Sequence, residues 1–430
     1  MGCTEGNIYG LWNGRDYLAG KFLLDDSAAT TKTVTSEETA VMRRRLIYQQ
    51  ALPTTENPNA YVPIAFYSDD THYSIIKAVQ MLEISTFYEI GSKFYPKDNP
   101  LAPGQPWPKE VPSKAGNSGP GSIDVDALAK LVEFFSAKGY PILISLNYGT
   151  TFKGAYDDVE NVGNTLLPIF RRYGLDKRKV YYDANDPSRF DRRTGYWIHV
   201  DGALGAAYMP FIEMAYQSGL ITQRGPNFDF RLSFIHSLSM SGHKWIGAPW
   251  PCGIYMTKVK YQLRPPDDPE YIGAEDTTFA GSRNGFSSMV LWDYLAKNSY
   301  ARQVCRALYT EKLAGYAYQE LIELGKEIGQ DIWVERSPLS LTIRFKAVRK
   351  ELAFRYSLSG ETLIVNGKAR MYNHIFIMPF GSKELIDQFI QELSRPGAFP
   401  PQNEEAVYEP EARTGTTRLA YFPRYRRGFK

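Results

Sequence analysis

Short runs rich in β-branched and aromatic residues alternate along the chain with stretches of helical period. Strand patterns fall at 62–67 (VPIAFY), 85–90 (STFYEI), 141–147 (PILISLN), 196–200 (YWIHV), 233–238 (SFIHSL) and 252–257 (CGIYMT). Between them, apolar residues recur at helical spacing over 72–83, 124–138, 158–173 and 205–217. Strand alternating with helix is the pattern of a largely parallel sheet covered on both faces, so residues 1–290 are expected to form one α/β domain. Residues 291–430 read as a helical linker and a small α+β lobe. In this part 286–326 is helical, strand-like 340–346 and 373–379 flank helical 348–357, and a last helix spans 382–394. The Pro/Gly-dense 96–122 and the charged, turn-rich 176–195 are expected as surface excursions, and the ending RYRRGFK as a solvated tail.

Composition narrows the class. The chain has 430 residues, 43% hydrophobic and 14% aromatic, enough for a large core and against a disordered or fibrous protein. Charges nearly cancel at +3, which gives no electrostatic footing for nucleic acid or an anionic membrane, so the expected partner is a small molecule. No apolar run reaches the roughly 18 residues of a membrane span, and no secretory leader pattern is present; the expected location is the cytoplasm. Cys3, Cys252 and Cys305 are too scattered for a disulfide framework, and the five histidines show no helical zinc spacing. Demanding chemistry then falls to an organic cofactor, with no metal expected.

Five segments offer chemistry, each with a plainer reading beside it. In SLSMSGHKWIGAPWPCG, Lys244 sits in a small-residue turn that can desolvate its amine and favour the nucleophilic form; an ordinary loop lysine fits as well. In WIHVDGALGAAYMPF, Asp201 ends an apolar strand at the edge where open α/β folds bind ligands, and it fits equally as a helix cap. A carboxylate there can keep a pyridinium nitrogen protonated. The opening Gly2-Cys3-Thr4-Glu5-Gly6-Asn7 reads as a small-residue turn running into an amphipathic helix, either a phosphate site or a capping turn. His72, in FYSDDTHYSIIKA, is placed to stack on an aromatic ring or to cap a helix. Thr150 and Thr151, in LNYGTTFKGAYDDV, either touch a cofactor or close a turn. All five fall at strand ends in one chain order.

That order, with the strings GCTEGNIYGL, DDTHYS, GTTFKGAYDD, HVDGALGA, SGHKWIGAPWPCG and EDTTFAGSRNG, resembles the group II pyridoxal 5′-phosphate (PLP)-dependent amino-acid decarboxylases, nearest the branch of bacterial histidine decarboxylases and plant serine decarboxylases. The strings span residues 1 to about 290; in the smaller lobe FRYSLSGE and HIFIMPF follow in order. The resemblance implies the fold type I (aspartate-aminotransferase type) PLP-dependent transferase fold. That is a mostly parallel, seven-stranded-type sheet with helices on both faces and a smaller C-terminal α+β lobe. It implies that Lys244 holds the cofactor as a Schiff base, with Ser241 and His243 near its phosphate. It also implies that Asp201 and Ala203 meet the pyridine ring, that His72 stacks on it, that Thr151 contacts the cofactor, and that Thr4, Glu5 and Gly6 form the phosphate turn. A homodimer with sites between subunits is implied, with Ser282 and Arg283 completing the partner's site. Tyr271 is the candidate proton donor to Cα. The implied reaction releases CO₂ and a primary amine, with histidine as the first substrate to test. Rival readings are transamination or oxidative deamination on the same cofactor, and a silent homologue acting as an interaction subunit. The chain is also expected to lack the family's usual N-terminal segment.

Overall fold

The computed structural model describes residues 2–21, 51, 56–181, 188, 190–263, 271 and 278–400. The expected tail and the first three residues of EDTTFAGSRNG lie outside them. Strands β1 (Ile64–Phe66), β2 (Ser85–Thr86), β3 (Ile142–Asn147), β6 (Tyr196–Asp201), β7 (Ser237–Ser241) and β8 (Gly253–Thr257) form one sheet in the order β2-β1-β3-β6-β7-β8. β4 (Arg178–Tyr181) and β5 (Phe190–Arg193) make a separate antiparallel hairpin. All sheet neighbours are parallel except β7 and β8. The described residues therefore supply six strands rather than seven, with the antiparallel one at an edge.

Every residue of β1, β3 and β6 is buried, as expected of parallel strands covered on both faces. Alternation then sorts their side chains. Ile142, Ile144, Ile198 and Val200 join the core shared with helices α4 (Val125–Ala137), α5 (Val159–Arg172) and α6 (Gly205–Gln217). Leu143 and Trp197 face the other way, toward α1 (Cys3–Leu18) and α2 (Tyr73–Met81). His199 and Asp201 follow Trp197 at a spacing of two and share its face.

Helix α1 is not amphipathic as expected; residues on nearly all its sides are buried. It lies against the sheet because Gly6, Gly10 and Gly14 repeat at one per turn. A Cβ at Gly14 would sit 2.6 Å from the Trp197 ring, and one at Gly10 2.4 Å from His199 Nδ1. Both are tighter than any side chain tolerates. Gly10→Val is therefore expected to cost about 1–3 kcal/mol of stability by overpacking, read as a lower midpoint in denaturant at unchanged slope.

Several expectations change in detail. Only 85–86 of 85–90 is strand, because Thr86 and Glu89 form a reciprocal capping box that starts helix α3 (Phe87–Phe94). The strand expected at 233–238 runs over 237–241, where alternate serines face α1 and break the apolar pattern. The stretch 286–326 is two helices, α7 (Gly285–Lys297) and α8 (Tyr300–Glu327), the second capped by Ser299. Segment 96–122 is not a mere excursion, since Trp107 and Val111 are buried in the main core. Nor is 176–195: it contains the β4–β5 hairpin, which buries Val180 and Arg193, and Arg193 donates to the carbonyl of Tyr17 at the end of α1.

The small lobe holds β9 (Thr342–Lys346), β10 (Ser359–Val365) and β11 (Lys368–Phe376) in the antiparallel order β10-β11-β9, with α9 (Lys350–Arg355) and α10 (Lys383–Leu393). Strand β10 was not expected. It is set by the two-residue Asn366-Gly367 turn, both at positive φ, which suits the twist of a tight hairpin. Helix α8 packs on α6 and α10, joining the two parts. Among the described residues no helix is long and apolar enough to cross a membrane.

Candidate active site

The carboxyl ends of β3, β6 and β7 lie side by side, and Asn147, Asp201 and Ser241 at those ends line a cavity of about 220 Å³. The N-terminus of α1, Gly2 to Thr4, closes one side of it. This is the strand edge at which open α/β sheets bind ligands. Gly2 is the N-cap and provides no side-chain cap, so a 16-residue helix presents its N-terminus to the cavity, the polarity that suits an anion. The string Cys3-Thr4-Glu5-Gly6 thus forms the first helical turn rather than a turn ahead of it.

Lys244 lies in the turn after β7 and lines the cavity; its amine makes no hydrogen bond or ion pair among the described residues. The turn is held by its neighbours. Trp245 is buried against Tyr208, and His243 Nδ1 accepts from the Cys252 N–H at 3.0 Å. Gly242 N–H donates to the Cys252 carbonyl at 2.7 Å, so the SGHK and PCG strings are two halves of one clamp. Accepting at Nδ1 leaves His243 Nε2 as the N–H, and burial lowers the ring's pKa.

Asp201 does not cap a helix. One carboxylate oxygen accepts from the Ala203 N–H at 3.1 Å, and the other from Asn7 Nδ2 at 2.7 Å. Cys3 Sγ stands 3.2 Å from Ser239 Oγ; burial, reinforced by Asp201, pushes its thiol well up, so it donates there rather than ionising. For His72 the structure shows the helix-cap reading, with the residue at the cavity. It caps α2, taking the Ser74 N–H on Nδ1 at 3.2 Å, while its ring lines the cavity and burial lowers its pKa. The Thr pair divides: Thr150 Oγ1 is occupied by the Ala155 N–H at 2.9 Å, whereas both Thr150 and Thr151 line the cavity.

The structure thus brings together Lys244, His72, Asp201, Ala203, Thr151, Thr4, Ser241 and His243. Glu5, Gly6, Tyr271 and Ser282 do not line this cavity, and Ser282 was expected in the site of a partner subunit rather than in its own. Gly6 packs against Ser239 and the Ile254 carbonyl, and Tyr271 is 87% exposed. Arg283 hydrogen-bonds to Tyr9 Oη and the Ala280 carbonyl of its own chain. Asn7, Ser74, Ser239 and Asn147 were missed. The available signal was the glycine stripe, which marks the sheet-facing side of α1 and places Asn7, one turn after Cys3, on it.

Fold and cavity define an α/β protein in which a helix N-terminus, a strand-end carboxylate and a lysine line one cavity at the carboxyl edge of the sheet. The pyridoxal-dependent decarboxylase conserved domain matches residues 108–287, which include Asp201 and Lys244. Histidine decarboxylase of Solanum lycopersicum is 29% identical over 394 residues, covering 91% of this chain and 67% of the relative. Serine decarboxylase 2 of Oryza sativa subsp. japonica is 27% identical, covering 77% of this chain and 55% of the relative. Among solved structures, L-methionine decarboxylase from Streptomyces sp. 590 superposes with a TM-score of 0.81 at 45% identity, covering 92% of this chain and 77% of that one. The chain belongs to the pyridoxal-dependent decarboxylase family: it is a PLP-dependent amino-acid decarboxylase of fold type I.

The residues present fit that cofactor. Ser241 Oγ is buried without a hydrogen-bond partner in the cavity wall beside the α1 N-terminus, a hydroxyl that a phosphate oxygen would satisfy. The Asp201 carboxylate, held by Asn7 Nδ2 and the Ala203 N–H with the Cys3 thiol beside it, lines the same cavity and would accept from a protonated ring nitrogen.

Proposed function

We propose that this chain decarboxylates L-methionine, with Lys244 carrying the cofactor and Asp201 facing its ring nitrogen. The observation behind the roles is that one cavity gathers a free amine, a doubly held carboxylate, an orphaned hydroxyl and a helix N-terminus. Bound PLP supplies an electron sink for the pair left on Cα when CO₂ departs. Asp201 holds an acceptor steady in the cavity wall. The backbone N–H groups at the α1 N-terminus, Ser241 and His243 would offer donors to the phosphate. His72, with Nδ1 engaged by Ser74, offers a neutral ring face and keeps its orientation. Ala203 leaves room opposite. Support for methionine comes from the 45% identity to the Streptomyces enzyme. Histidine, the substrate first expected, is the second reading, favoured by histidine decarboxylases at 27–29% identity.

A panel of L-amino acids assayed for CO₂ and amine tests this. Methionine is expected to exceed histidine and serine in kcat/KM by at least about 10-fold, the worth of 1.4 kcal/mol in transition-state binding. Histidine turned over as fast as methionine would reverse the assignment; keto acid or ammonia as the main product would favour the rival chemistries.

We also infer that two copies of the chain pair through α7. That helix, GFSSMVLWDYLAK, contains no buried residue, and Phe286, Met289, Trp292 and Leu295 are exposed along its length. Such a run of large apolar side chains marks an interaction surface, and it begins directly after Ser282 and Arg283. Trp292→Glu is expected to convert a dimer to a monomer in light scattering; an unchanged mass would remove α7 from the interface.

A further inference from the structure

We propose that Asn7 is a positioning residue that sets Asp201 and His72 in register with each other, and that His199, as the tautomer with hydrogen on Nε2, fixes which way the Asn7 amide faces. The inference rests on the reading of Asp201 and His72 as partners of the cofactor ring.

Asn7 Nδ2 lies 2.7 Å from Asp201 Oδ2 and 2.9 Å from Ser74 Oγ. A carboxylate accepts, so the Asn7 atom beside it is the NH₂ group, and both of its hydrogens are used. The amide oxygen then faces His199 Nε2 at 3.0 Å and Ser239 Oγ, from both of which it accepts. An oxygen cannot donate, so His199 carries its hydrogen on Nε2. Its Nδ1 is left to accept from Ser237 Oγ at 2.8 Å, and Ser237 Oγ in turn accepts from Trp197 Nε1 at 3.1 Å.

The result is a one-way chain from Trp197 through Ser237, His199 and Asn7 to Asp201, and every link is buried. A branch leaves it at Ser74, whose Oγ accepts from Asn7 and donates to His72 Nδ1 at 2.7 Å. One amide thus ties together the carboxylate and the imidazole that border the cavity. Reversing the His199 tautomer would set its Nε2 lone pair against the Asn7 oxygen, and flipping the amide would set that oxygen against the carboxylate. Either costs a buried, unsatisfied contact. Burial keeps His199 neutral, its pKa lowered to about 4, so it stays a single-hydrogen donor at neutral pH. Gly10 makes the arrangement possible by leaving the ring room against α1.

The first test needs no cofactor. In the cofactor-free chain at neutral pH, ¹⁵N–¹H correlation spectra are expected to show His199 as the Nε2–H tautomer; the Nδ1–H tautomer would overturn the proposal whether or not any variant folds. The second uses PLP labelled at its ring nitrogen and loaded into wild type, Asn7→Leu, His199→Leu, His199→Gln and Asp201→Ala. The ¹⁵N shift is expected to move toward the unprotonated position in Asn7→Leu and His199→Leu and to be restored in His199→Gln, whose amide N–H can replace Nε2–H. In Asn7→Leu and His199→Leu kcat should fall about 10- to 100-fold, with KM little changed, and in His199→Gln it should recover with the shift. A shift that moves in Asp201→Ala but not in Asn7→Leu or His199→Leu would sink this inference alone. One that moves in none of them would sink the reading of Asp201 instead.

Discussion

Lys244→Ala is expected to abolish CO₂ release, by at least about 10³-fold, and to remove all covalently held cofactor while leaving the fold intact. Among the described residues lining the cavity, Lys244 is the one primary amine. It makes no hydrogen bond or ion pair among the described residues, so truncation orphans no buried group, and the stability change should stay within about 0.5 kcal/mol. The nearest alternative on the chemical string GTTFK is Lys153, and it is committed elsewhere: it is buried and ion-paired with Asp70 at 3.0 Å. Borohydride reduction of the loaded wild-type protein followed by peptide mapping should therefore place the pyridoxyl mass on Lys244 alone. Finding that mass on Lys153, or in Lys244→Ala at all, would discard the assignment. An unchanged thermal midpoint in the variant separates lost chemistry from lost fold.

Lys244, Asp201, His72 and Thr151 could be placed at one cavity from the sequence because each lies at, or a few residues beyond, the carboxyl end of a strand inside a short contiguous string. The parallel strands were legible because β3 and β6 are rich in β-branched and aromatic residues and are buried along their whole length, with Ser145 and Asn147 in β3 and His199 and Asp201 in β6 as their polar positions. What stayed hidden acts through partners distant in sequence. Asn7 looks like one more polar residue of a helix until the glycine stripe shows that its side faces the sheet, and Ser239 acquires meaning only from its register opposite Asp201. Strand β7 was displaced because its buried serines imitate a loop, and β10 was lost because its outer half is polar and exposed, although Asn366-Gly367 announced the hairpin. Tyr271 was singled out by its place beside a chemical string, and in its own chain it is exposed and does not line the cavity.

Asp201→Asn should be far more damaging than its small change of shape suggests, lowering kcat by about 10²- to 10³-fold, as loss of a preorganised charge does. The new amide keeps an oxygen for the Ala203 N–H, which directs its NH₂ at Asn7 Nδ2. Two donors then face each other in a buried site. Asn7 can relieve this only by turning its oxygen toward position 201, which strands the His199 Nε2–H and the Ser239 hydroxyl. Stability should fall as well, by about 1–3 kcal/mol, the penalty for one buried unsatisfied polar group. Combining Asp201→Asn with Asn7→Asp separates the two losses. The exchanged pair restores most of the match of donors and acceptors, because a carboxylate at position 7 accepts from position 201, His199 and Ser239 together and loses only the bond that Asn7 gave to Ser74 Oγ. The midpoint in denaturant should therefore recover toward wild type. Turnover should not, since the charge now stands behind the residue proposed to meet the ring nitrogen rather than on it. If the double variant regained activity along with stability, the carboxylate of Asp201 would be a structural group and the acceptor for the ring nitrogen would have to be sought elsewhere in the cavity.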